Sequence, residues 1–148
     1  MIYRFLPLIL FCVFSFKPLN TTENTKNEVK STDPKLIAAN AKATFEAKTK
    51  SFYSVIDANG FSLPSFESFI AAFEGYEQLK QLGKIQNEIL TIVDFSLSSS
   101  QERMWVVDMK SQKVILKSLV SHGRNSGSEY ATDFSNASES FKSSLGFY

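Results

Sequence analysis

With 148 residues, 43% of them hydrophobic and 21% charged, the chain has material for one ordinary domain and too little for two comfortable ones. Lys+Arg 16 against Asp+Glu 15 leave a formal charge of +1 without a run of like charge, which argues against nucleic acid as the main partner. A single cysteine, Cys12, excludes an internal disulfide. With a single histidine, His122, it also argues against a zinc site, and no EF-hand spacing or phosphate-cradling glycine loop points to a cofactor, so none is expected.

The N-terminus reads MIYRFLPLILFCVFSFK, with Arg4 as a short positive start and an apolar run from Phe5 to Phe16. A run of roughly a dozen apolar residues suits a signal peptide better than a membrane span, which takes about 20. Residues 1–18 are therefore expected to be a leader, and the protein to be exported to the periplasm or cell envelope, touching the membrane only through that leader. A lipoprotein reading of Cys12 meets the bulky Phe11 where a small residue is wanted. The stretch that follows, residues 19–32, is rich in Thr, Asn, Lys and Glu; it has too little apolar surface to offset its ordering entropy and is expected to be a flexible linker. Asn20-Thr21-Thr22 and Asn136-Ala137-Ser138 match glycosylation acceptors, a pattern short enough to arise by chance.

Thr32-Asp33-Pro34 opens a helix, with a capping side chain followed by Pro at the first helical position. Ile37, Ala41, Phe45, Phe52 and Ile56 fall on one face of it, and Asn59-Gly60 stops it. A second helix begins near Pro64, with Phe66, Phe69, Ile70, Phe73, Tyr76, Leu79 and Leu82 in one stripe and Gly83 as its C-terminal cap. Period two then takes over. Ile89–Phe95 reads as a buried strand, and Arg103–Met109 and Val114–Val120, joined by the polar turn through Lys110 and Ser111, read as an antiparallel hairpin. From Ser121 onward the chain is a loop rich in Ser, Gly and Asn, and Leu145–Tyr148 reads as the start of one more strand. The expected class is α+β: a helical lead-in over residues 33–83, then an incomplete antiparallel β domain over 84–148.

The order of features from Phe61 to Tyr148 resembles the YkuD-like murein L,D-transpeptidase catalytic domain family, in its Bacteroidetes-type branch. Carrying the resemblance are Gly75-Tyr76 in the second helix, Leu90–Ser96 (LTIVDFS), Arg103–Met109 (RMWVVDM), Val120–Gly127 (VSHGRNSG), Phe134-Ser135-Asn136 and Ser143–Tyr148 (SSLGFY). The resemblance implies an exported enzyme that remodels peptidoglycan, with a β-sandwich-like catalytic domain, a cysteine nucleophile and a nearby histidine. A thiolate kept deprotonated by an imidazole attacks a carbonyl of a murein stem peptide and gives a thioester, which an amine or water resolves. In the family those two residues lie in later His-Gly and Gly-Cys motifs, so this sequence is expected to hold the N-terminal part of such a domain and to be inactive as it stands.

No catalytic residue is assigned. Cys12 lies in the leader, and His122 resembles the family's first His-Gly segment, a loop beside the cleft. A Ser-His-Asp arrangement of His122 with Asp94, Asp108 or Asp133 lacks the nucleophile-elbow spacing. His122, Gly123, Arg124, Asn125, Ser126 and Gly127 combine permissive backbone with donors suited to a carboxylate or a peptide carbonyl, and form the candidate substrate-binding loop. Ser144 and Gly146 join them by resemblance to the family's small-residue-Gly-aromatic segment. A non-catalytic envelope protein, whose helices and cleft loop bind peptidoglycan or another protein and whose exposed strand edges suit pairing with a partner, is the alternative, and a gene fragment without function the third.

Overall fold

The computed structural model describes residues 33–148. The expected leader with Cys12, the linker and the Asn20 acceptor lie outside these residues.

Helix α1 runs Pro34–Ser54, with the Asp33 carboxylate accepting from the Lys35 backbone N–H at 2.9 Å and Pro34 at the first position. Helix α2 runs Phe66–Gln81. Ser65 caps it by accepting from the Ser68 N–H at 3.1 Å, and Glu67 and Lys80 complement the helix dipole at its two ends. At its C-terminus Gly83 takes φ +66, so that its N–H reaches the Lys80 carbonyl and the Lys84 N–H reaches Leu79. These are the two bonds of a Schellman cap, which glycine allows by tolerating the left-handed backbone.

Three strands follow, β1 Ile89–Val93, β2 Met104–Asp108 and β3 Lys113–Ser118, in the order β1-β2-β3 and antiparallel throughout. The β2–β3 turn is held by Asp108, whose Oδ1 accepts from Lys110 N at 2.9 Å and Ser111 N at 3.1 Å. A register shift between Val106 and Val107 gives β3 one extra residue, Ile115. The fold is α+β, as expected.

One aromatic column ties the helices together. Phe73 sits 5.1 Å from Phe52 and 5.6 Å from Phe69, centroid to centroid, and Tyr53 lies 5.2 Å from Phe69. Phe69, Phe73 and Tyr76 then meet Ile92, Trp105, Val107, Met109 and Val114 from the sheet in one core. Trp105 also donates from its indole N–H to the Ser62 carbonyl at 2.9 Å, and the Tyr53 hydroxyl donates to Pro64 at 2.6 Å, fixing the connection between the helices.

Three sequence expectations change. Ile37 and Ala41 do not face the core. Residues 33–44 are exposed, Ala41 bordering only an open groove beside α2, and Thr49, fully buried with its hydroxyl on the Phe45 carbonyl, takes the inward position instead. The β1 segment is an edge strand, buried only at Ile92, because its β-branched residues serve two faces of which one is exposed. Leu145–Tyr148 is not a strand. Gly146 at φ +137 breaks the extended run, and Phe147 turns instead onto α2 at Gly75, where a Cβ would lie 2.0 Å from the ring.

Candidate functional site

Alternation along β2 sends Trp105, Val107 and Met109 inward, and the same alternation carries Arg103, at the head of the strand, to the inside. It is fully buried. Its Nη1 donates to Leu97 O at 2.8 Å, Nε and Nη2 donate to Val120 O at 3.2 and 3.0 Å, and Nη2 lies 2.8 Å from His122 Nδ1. The Phe95 ring lies 5.1 Å beneath the guanidinium. No described carboxylate comes within ion-pair distance, so backbone carbonyls, an imidazole and a ring satisfy this buried cation.

A guanidinium has no acceptor, so His122 Nδ1 must accept, which leaves the proton on Nε2 to be donated to Gly127 O at 3.2 Å. Both ring nitrogens are thereby engaged in shaping the loop. Neither meets a serine or an aspartate, and the Ser-His-Asp arrangement is not assembled.

Nearby, Asp94 accepts from Ser68 Oγ at 2.6 Å and from the backbone and hydroxyl of Ser96 at 3.0 and 2.6 Å. Burial pushes its carboxyl up, but the bonds from Ser68 and Ser96 and the Arg103 charge more than offset this and hold it below the ordinary carboxylate value. Asp94 and Leu97 also border a groove of about 490 Å³ whose walls include Leu63, Gln101, Trp105 and Lys117.

The loop from His122 to Gly127 is zipped to the segment around Ser143. Gly123 donates to Ser143 Oγ at 2.9 Å, Ser143 N donates to Ser126 Oγ at 2.7 Å, and Asn125 N donates to Phe141 O at 3.1 Å. A Cβ at residue 123 would lie 2.5 Å from Phe141 O, so only glycine lets the two backbones run this close. Ser126 is fully buried, and its carbonyl accepts from Thr132 N and Asp133 N at 2.7 and 3.0 Å.

Of the eight residues singled out from sequence, His122 to Gly127 thus lie in one loop against the segment carrying Ser144 and Gly146. Their duties divide. His122, Gly123 and Ser126 build the loop, Asn125 spends its side-chain amide on Ser140 O at 2.9 Å, and Ser144 donates to Ser135 O at 3.2 Å. Gly146 lies 3.8 Å, as a Cβ would measure it, from the Tyr148 hydroxyl, which reaches back to Asn136. Arg124 alone turns a charged group outward. Sequence reasoning gave no role to Arg103 or Phe141; the inward phase of Arg103 among apolar neighbours was the available signal for the first, and none existed for the second. Among the described residues no three His, Cys, Asp or Glu side chains gather as metal ligands.

Residues 62–148 match the family model described as L,D-transpeptidase catalytic domain. No curated protein and no solved structure matches the chain.

Proposed function

From a chain that belongs to the L,D-transpeptidase catalytic domain family, we propose an exported protein whose residues 62–148 form a face that receives murein stem peptides and does not itself break or make their bonds. Peptidoglycan is the family's substrate. The observation that carries the reading is the pair of zipped loops, residues 122–127 against 140–144, which ends in a single outward guanidinium on a rigid base. A site held by buried Arg103 and Ser126 presents its donor with little left to order on binding.

The family's thioester route needs a thiolate, and residues 33–148 contain no cysteine. The histidine among them has both nitrogens in use. Their contribution is therefore recognition. Export rests on the apolar run Phe5–Phe16 behind Arg4.

Titration of the 148-residue chain with a murein stem tetrapeptide, followed by intact-mass measurement after incubation with muropeptides, tests this. Saturable binding with an unchanged mass is expected. Absence of binding, or an acyl adduct on the chain, contradicts it.

A further inference from the structure

Three successive residues of one loop converge on a single aromatic residue of another. Gly123 permits the backbone approach at Phe141, Asn125 N donates to Phe141 O at 3.1 Å, and the Arg124 guanidinium lies 3.8 Å above the Phe141 ring. Phe141 has φ +55, a left-handed backbone that a bulky aromatic rarely adopts, yet the residue is 54% exposed. Strain is held at this position, and it is not spent on burying the ring in the core. What the ring does is carry the guanidinium.

The charge so placed is free to act. Among the described residues the ion pairs join Lys48 to Glu77, Lys80 to Glu88, Lys113 to Asp57, Lys117 to Glu102 and Lys142 to Asp133, and Arg124 is in none of them. Stacking on a ring fixes the plane of a guanidinium and leaves its edge, with its fork of N–H donors, open. That edge matches the two oxygens of a carboxylate.

We infer that Phe141 is a positioning residue that holds Arg124 as a preformed clamp for a carboxylate group of the bound peptide. This deepens the stem-peptide reading and shares its loop. The clamp recognises the carboxylate itself, so a ligand with the same chain and a neutral amide in its place lacks the main contact.

The test uses the full chain, labelled with nitrogen-15, and follows the backbone amides of residues 123–125. The ligands are N-acetyl-D-alanine, N-acetyl-D-alaninamide and a murein stem tetrapeptide. The carboxylate ligand is expected to shift these amides saturably and the amide ligand to bind roughly tenfold or more weakly. Phe141→Leu keeps bulk but removes the ring and is expected to weaken carboxylate binding roughly tenfold, with Phe141→Tyr restoring it. Arg124→Gln, at an exposed side chain, serves the same purpose if Phe141→Leu does not fold, and is expected to erase the difference between the two small ligands. Equal affinity for acid and amide in the parent, or unchanged discrimination in Phe141→Leu or Arg124→Gln, overturns the clamp. Tetrapeptide binding that shifts residues 140–146 but leaves residues 123–125 unmoved also overturns it while sparing the stem-peptide reading; a response to N-acetyl-D-alanine without tetrapeptide binding does the reverse.

Discussion

Arg103 holds two loops with one planar group. Its fork reaches Leu97 O on one side and Val120 O with His122 Nδ1 on the other, and the imidazole relays the hold to Gly127 O. A lysine at this position keeps the charge but gathers its donors at one point, so it cannot span both carbonyls and the ring. Arg103→Lys is expected to lower stability by about 1–3 kcal/mol, read from denaturant unfolding, because it leaves buried acceptors without partners. Amide exchange should rise first in the segments around Leu97 and Val120, with little change in α2. His122 takes its place in the loop from the same contacts, with one ring nitrogen at Arg103 and the other at Gly127 O.

At the scale of elements, α2 does two jobs. One face supplies Phe69, Phe73 and Tyr76 to the core, and Gly75 makes a seat for Phe147. Two of the sequence pieces that carry the family resemblance, Gly75-Tyr76 and the terminal Gly146-Phe147, therefore meet as one contact. Gly75→Ala would put a methyl 2.0 Å from the Phe147 ring, but Phe147 is 56% exposed, so its side chain has room to swing away. Alanine also improves the helix by roughly 0.5–1 kcal/mol. The expected result is a melting temperature that is unchanged or raised, together with faster amide exchange across residues 143–148; an unchanged exchange rate would show that Phe147 does not tether the segment.

Local signals made these elements readable. The Asp33-Pro34 start, the aromatic stripe of α2, Gly83 as its cap, and the hairpin turn at Asp108 all act within a few residues of themselves. The site depends on distant pairs, Arg103 with His122, Arg124 with Phe141 and Gly75 with Phe147, none of which leaves a periodic trace. The exposure of Ile37 and Ala41 has the same origin: periodicity gives the phase of a helix, but not how closely another element packs along it, and Ala41 borders an open groove beside α2.

For the molecule as a whole, the helices and the core-facing side of the sheet form a scaffold, and the loops beyond β3 form the surface proposed to receive peptide. Register puts Leu90, Ile92, Trp105 and Val107 on the core side, while Ile89 and Leu116 look the other way and are 43% and 45% exposed. A second groove, between Phe45 on α1 and Ile70 and Ala71 on α2, lies on the helical layer and shares no residue with the zipped loops. The proposed recognition surface is the loops, not this groove. Mapping amide shifts along the labelled chain during titration with a stem tetrapeptide separates the two surfaces directly. Perturbations concentrated in residues 122–127 and 140–146 are predicted. Perturbations confined to the α1–α2 groove, with those loops silent, would contradict the account.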